Sequence, residues 1–165
     1  MSLTRHQIAQ QRAAAHGLDL KAPLQTGGHY ASITEHGGVA YLSGQVPRIG
    51  STVVATGRVG QGLGLQQARD AAEVCALRLL SILDQTHGLD RVAQVLKLSV
   101  FVQSDDAFTQ HSEVADAASD LLHAVLGDAG RHARTSVGVA QLPKNAAVEI
   151  DAIVALLPAT PKERT

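Results

Sequence analysis

The stretch from Arg134 to Ala152 constrains this chain most. Two runs of period-two alternation, 134–140 and 146–152, flank Gln141-Leu142-Pro143-Lys144-Asn145. That period belongs to strands with one buried face, and the Pro/Asn punctuation forbids either run from continuing through the turn. The stretch therefore reads as a β-hairpin. If the chain reverses at Leu142-Pro143, Gln141 opposes Lys144, Ser136 opposes Glu149 and Arg134 opposes Asp151. One face then carries Arg134, Ser136, Gly138 and Ala140 with Ala147, Glu149 and Asp151, while Val137, Val139, Val148 and Ile150 turn to the core. An arginine, a hydroxyl and two carboxylates among small residues have the makings of a polar pocket. The same row also reads as a clasp, with Arg134 ion-paired to Asp151 or Glu149.

The rest of the chain supplies what such a hairpin would join. Residues 4–16 form a short helix with Thr4 as its cap and Gly17 as its stop, and 18–26 read as a linker. Residues 30–35, the turn His36-Gly37-Gly38, and 39–45 make another hairpin. Residues 48–64, rich in Gly and Val, read as a loop with a short strand near 52–55. Apolar residues at 68, 72, 75, 79, 82 and 83 predict an amphipathic helix over 65–87. Residues 91–102 alternate as a central strand, with Leu96, Leu98, Val100 and Val102 on one face and Val95, Lys97, Ser99 and Phe101 on the other. Ser104-Asp105-Asp106 gives a second helix an acidic start, and that helix runs to about Leu126 with Phe108 facing inward. The order predicts an α+β, two-layer sandwich: a mixed sheet of five or six strands, two helices on one face, and an extra N-terminal helix. A sheet face left open on so short a chain predicts a covering subunit.

Composition narrows the function. The 165 residues suit one domain, and a net charge of -1 with two Phe, two Tyr and no Trp offers neither a basic stripe nor a stacking platform, so nucleic acid is not an expected partner. The one cysteine, Cys75, falls on the apolar helical stripe and reads as core in a reducing compartment. No apolar run has the length of a membrane span or the form of a secretory signal, so no membrane association is expected and the cytoplasm is the default. The eight histidines are scattered without ligand spacing, and no metal is expected; His29, His36, His111 and His132 read as loop or surface groups. Glycines in 57–64 lack the Lys-Ser/Thr of a phosphate loop.

Several separated blocks resemble one family. They are Tyr30 after Gly27-Gly28-His29, Leu42-Ser43-Gly44-Gln45-Val46-Pro47, the strand 97–102, and Ala133-Arg134-Thr135-Ser136-Val137 through Leu142-Pro143-Lys144 to Val148-Glu149-Ile150. In order and spacing they resemble the reactive intermediate deaminases (RidA, YjgF, endoribonuclease L-PSP-like). The resemblance implies a chorismate-mutase-like fold over 27–157, preceded by the helix and linker of 1–26 and followed by a flexible tail, 158–165. It implies a homotrimer whose intersubunit clefts bind small carboxylate metabolites and hydrolyse 2-imino or enamine acids to 2-keto acids and ammonia, without a cofactor. Arg134 matches the arginine that grips the substrate carboxylate, a role suited to a planar, permanently charged fork. Glu149 matches the glutamate near the attacking water, and a glutamate beside Arg134 is expected to stay ionised. Tyr30, Ser43 and Gly44 match cleft-lining positions. Ser136 stands where the archetype has cysteine and Ser112 where it has asparagine, which marks a divergent branch and leaves a non-catalytic carboxylate binder as the alternative. RNA cleavage, which part of the family's naming implies, runs against the charge balance.

Overall fold

A computed structural model of the chain describes residues 2–159. Three helices, α1 (Arg5–Ala15), α2 (Leu65–Thr86) and α3 (His111–Leu126), accompany five principal strands: β1 (Ile33–His36), β2 (Val39–Gln45), β3 (Val92–Gln103), β4 (Ala133–Val139) and β5 (Val148–Leu156). The strands form one mixed sheet in the order β1-β2-β5-β3-β4, parallel between β3 and β4 and antiparallel elsewhere. Helices α2 and α3 pack against one face, burying Leu77, Leu80 and Leu122 against Leu98, Val100, Ile150 and Val154. The β1–β2 turn is tight because Gly37 (φ 59°) and Gly38 (φ 77°) accept the left-handed backbone.

The expected hairpin does not form. β3 lies between β4 and β5 and pairs with both, so the sequence-adjacent strands never touch. The connection passes over the end of β3 instead of closing a two-strand turn. Gln103, the last residue of β3 and 2% exposed, holds that crossing: its Oε1 accepts the Leu142 N–H at 2.7 Å and its Nε2 donates to Asn145 Oδ1 at 2.6 Å.

The register also changes which residues share a face. Arg134 aligns with Leu98 and Ala152, and Ser136 with Val100 and Ile150, all on the helix side. Glu149 aligns with Phe101 and Val137, and Asp151 with Ser99 and Thr135, on the open side. The anticipated single polar row is thus split across the sheet, and Val137, expected in the core, is 39% exposed. Val148 and Ile150 are buried as expected.

Two further boundaries moved for local reasons. A register shift between Val95 and Lys97 rotates β3 by one residue, so Val95 is buried and Leu96 is 41% exposed. Helix α3 starts at His111 and not at Ser104, because the Asp105 carboxylate accepts the N–H groups of Ala107 and Phe108 and satisfies a turn in place of a helical start.

Helix α1 is tied into the core. Thr4 and Gln7 form a capping box, Ala9 and Ala13 pack with the main cluster, and Arg5 donates to the carbonyls of Leu89, Val92 and Leu126. Residues 48–64 contain two short ladders, 48–49 with 52–53 and 58–59 with 62–63. Cys75 is fully buried, with Sγ 3.7 Å from the Val148 carbonyl, and burial pushes its thiol well up. Among the described residues no helix is long and apolar enough to cross a membrane. The expected tail lies outside the described residues from position 160 onward.

Candidate active site

The β2–β5 ladder slips between Leu42 and Gln45, and this irregularity opens space for Glu149. Gly44 sits within it. A Cβ at Gly44 would run into the Glu149 carboxylate and lie 3.1 Å from Glu149 Cγ, so only glycine leaves that side chain its place. Around it lies a cleft of about 420 Å³ whose wall includes Tyr30, Gly44, Arg48, Arg78, Lys144 and Glu149. That size suits a small metabolite.

The Glu149 side chain forms no hydrogen bond or ion pair with the described residues. Burial, and then repulsion from Asp151, raises its pKa above the ordinary glutamate value. The expectation of an anion held low by Arg134 is corrected here, since Arg134 lies on the other side of the sheet. Lys144 and Asn145 both adopt positive φ, 59° and 56°. Asparagine tolerates this conformation, but for lysine it costs about 1–2 kcal/mol. The Gln103–Asn145 hydrogen bond helps hold the strained pair at the rim of the cleft.

Tyr30 is 52% exposed, and its hydroxyl accepts weakly from the Gly27 N–H at 3.4 Å. Ser43 serves the backbone and not the cleft, because its hydroxyl donates to the Ala31 carbonyl at 2.7 Å and fastens the segment before β1.

Arg134 forms the centre of a second group, at the edge of the sheet beneath α3. Its Nη1 donates to Asp116 Oδ1 at 2.8 Å and to Ser119 Oγ at 2.9 Å, and its Nη2 donates to the Ser112 carbonyl at 3.4 Å. Neither Asp151 nor Glu149 is its ion-pair partner. Ser136 Oγ lies 3.5 Å from Ser112 Oγ, so these two positions do meet.

His132 is no isolated surface group. Its Nδ1 is 2.7 Å from the Gly130 carbonyl and its Nε2 is 2.9 Å from Ser119 Oγ. A carbonyl only accepts, so Nδ1 carries a proton; in the neutral ring Nε2 then accepts from the Ser119 hydroxyl, whose oxygen accepts from Arg134. His111 is likewise built in, packed edge-on to Phe108 with Nε2 3.1 Å from Ser104 Oγ. A Cβ at Gly138 would come within 2.6 Å of that same nitrogen.

Sequence reasoning missed Asp116, Ser119, Lys144, Arg48 and Arg78. One signal was available for Arg78: it follows Cys75 by three positions and precedes Ile82 by four, so a charge falls on the apolar stripe itself. The others carried no local signal.

With this geometry in view, similarity to known proteins decides the family. The endoribonuclease L-PSP family model matches residues 20–156. The chain belongs to this family, the RidA/YjgF proteins. It is 43% identical over 155 residues to Protein TCP17 of Trypanosoma cruzi, covering 90% of this chain and 97% of that one. It is 26% identical over 130 residues to the 2-iminobutanoate/2-iminopropanoate deaminase of Dermatophagoides farinae, covering 78% and 87%. A crystal structure of a protein of unknown function from Agrobacterium tumefaciens superposes with TM-score 0.81 at 36% identity, covering 92% and 94% of the two chains. RidA from an Antarctic Psychrobacter superposes with TM-score 0.57 at 25% identity, covering 83% and 95%. Within this RidA-family chain, Tyr30, Gly44 and Glu149 share one cleft, whereas Arg134, Ser136 and Ser112 gather under α3.

Proposed function

We propose that this RidA-family chain hydrolyses reactive 2-imino and enamine acids to 2-keto acids and ammonia, in the cytoplasm, in clefts completed between copies of a homotrimer. The observation that carries the reading is Glu149: a carboxylate with a raised pKa and no partner among the described residues, kept clear by Gly44 at the wall of a metabolite-sized cleft. A carboxyl titrating nearer neutrality both takes and returns a proton efficiently. Glu149 accepts a proton from water as the oxygen attacks the imine carbon, and the C=N electrons move to nitrogen. It then returns the proton to that nitrogen, giving a carbinolamine; the same carboxylate next takes the carbinolamine hydroxyl proton and passes it to the amine, the C–N bond breaks, and ammonia leaves as the carbonyl forms.

The substrate carboxylate needs a cation on the facing wall. Arg134 of one copy is separated from its own Glu149 by the sheet, so in this reading a neighbouring copy supplies it. The open face, with Tyr41, Leu96 and Val137 exposed, is the surface that the trimer covers. Ser136 and Ser112 line the Arg134 side, and Tyr30 and Gly44 line the Glu149 side. The activity for which the Dermatophagoides farinae relative is named supports the reaction class.

The test is to generate 2-iminopropanoate in situ and follow keto-acid release, with the mass in solution measured alongside. Acceleration over buffer by a trimer, reduced about 10- to 100-fold in Arg134→Ala, is expected; no acceleration, or full activity in that variant, overturns the reading. A second reading, a binder of small carboxylates without turnover, is favoured by the Arg134–Asp116 ion pair, which already matches the arginine's charge. Tight binding of a 2-keto acid without imine hydrolysis would select it. RNA cleavage is tested by incubating a highly purified sample with RNA, which is expected to stay intact.

A further inference from the structure

Two arginines in the Glu149 cleft lack a counter-charge among the described residues. Arg78, on the inner stripe of α2, donates Nε to Gln45 Oε1 at 3.2 Å and Nη1 to the Arg48 carbonyl at 3.1 Å. Arg48 donates Nη2 to the Gln25 carbonyl at 2.7 Å, and its buried Nε has no partner among the described residues. Every acceptor of these two side chains is neutral, and neither arginine has a described carboxylate within ion-pair distance. Both face the Glu149 cleft and also a neighbouring cavity of about 320 Å³ under residues 18–25. Asp19 lines that second cavity without pairing with either, its Oδ1 accepting the Lys21 N–H.

Two half-buried guanidinium groups lining the same cleft repel each other and lose hydration, and burial followed by Arg48 lowers the Arg78 pKa. Such a pair is an unusual thing to leave uncompensated in a wall. Lys144, in its strained conformation, adds a third cation to the same cleft. Planar guanidinium forks match carboxylate and phosphate oxygens, which would supply the missing charge and take up the idle donors.

We propose that Arg48 and Arg78 form an oxyanion subsite in the Glu149 cleft, so that the preferred ligand carries a second anionic group, carboxylate or phosphate, besides its α-carboxylate. This rests on the deaminase reading for the placement of the α-carboxylate at Arg134, and it narrows the substrate class to small acidic or phosphorylated 2-imino acids. The two anionic groups then bind at opposite ends of the cleft, with the imine carbon between them near Glu149.

Calorimetric titration of the full chain with keto-acid product analogues tests the subsite apart from turnover. The probes are 2-oxoglutarate and phosphohydroxypyruvate, each with two anionic groups, against 2-oxopentanoate, which has one. At least one dianion is expected to bind about tenfold or more tightly than 2-oxopentanoate, as an added charge-assisted pair implies. That advantage should vanish in Arg78→Met and Arg48→Met, which keep the apolar stem. A preference for 2-oxoglutarate alone assigns the subsite to carboxylate, and for phosphohydroxypyruvate alone to phosphate. Equal binding of mono- and dianions by the wild type overturns the proposal whatever the variants do, as does a dianion preference retained in both folded variants. Hydrolysis of neutral imino acids without dianion preference would remove the subsite and leave the deaminase reading standing. Dianion preference without any imine hydrolysis would do the reverse.

Discussion

Arg134 and the pair Arg48/Arg78 are the two cationic regions that matter most in this molecule, and they are built on opposite terms. Arg134 reaches a carboxylate, a hydroxyl and a carbonyl, and behind it the Ser119–His132–Gly130 hydrogen-bond chain holds the hydroxyl in place. Among the described residues, Arg48 and Arg78 reach only amide and carbonyl oxygens and retain an unpaired buried nitrogen. The first arrangement is electrostatically complete within one chain, whereas the second is not. An arginine with its own carboxylate must exchange that partner to grip a ligand, so its net contribution to binding is reduced by what it gives up. A pair without one gives up no ion partner on binding, so an anion gains the interaction less the desolvation of the groups that meet, while the repulsion between the two arginines is a cost carried by the fold.

Glu149 falls on the side of the uncompensated region, and its removal is the largest expected effect. Glu149→Gln should lower imine hydrolysis by about 10²- to 10⁴-fold, the usual worth of general acid–base help, measured as keto-acid release. A variant within a few-fold of wild type would take the chemistry out of this cleft. Gly44→Ala should follow, with about a 10²-fold loss, because the added methyl displaces the carboxylate while folding stability falls by only about 1 kcal/mol. Thermal melts beside the rate assay separate displacement from unfolding.

Arg134→Ala should cost about 10- to 100-fold in kcat/KM, the range of a charge-assisted hydrogen bond. Asp116→Asn sharpens the contrast from the other direction. With its competing carboxylate gone, Arg134 should bind a monocarboxylate a few-fold more tightly, a modest gain because Asp116 is half exposed and such pairs are weak. Weaker binding in that variant would mean that Asp116 positions the arginine more than it competes with the ligand.

The smallest effect is on stability. A raised pKa means that Glu149 holds its proton more tightly in the folded state than in the unfolded chain, so stability is lost as pH rises from the ordinary carboxyl range through the raised value. Glu149→Gln should therefore be more stable than wild type at about pH 7 and equal to it at about pH 3, where the glutamate is neutral in both the folded and the unfolded chain. Denaturation midpoints at the two pH values test this, and equal midpoints at neutral pH would mean that the buried charge carries no penalty. Together with the rate loss, the outcome would identify Glu149 as a residue kept for chemistry at the expense of the fold.

Much of the architecture was legible in the chain. Period-two alternation marked β3, β4 and β5, the 3.6-residue period marked α2, and Gly37-Gly38 marked a turn, because each of these patterns is written locally and read by a few neighbouring residues. Thr4 marked the cap of α1 for the same reason. Glu149, Tyr30 and Gly44, which the resemblance assigns to one site, line one cleft. The resemblance assigns Ser43 to the same site, but its hydroxyl is used on the Ala31 carbonyl.

Strand partnership was decided only by the tertiary structure. Every strand offers the same backbone donors and acceptors, so alternation alone fits β4 to β5 or to β3 equally well. Burying β3 between them paired the longest strand on both edges and let Gln103 satisfy the crossing chain. The register that followed placed Arg134 on the helix face with Leu98 and left Glu149 on the open face with Phe101. The sequence by itself determined which residues alternate and which helices cover them. The assembled sheet determined which side each charge faces, because facing depends on the neighbour a strand pairs with and that neighbour is remote in the chain.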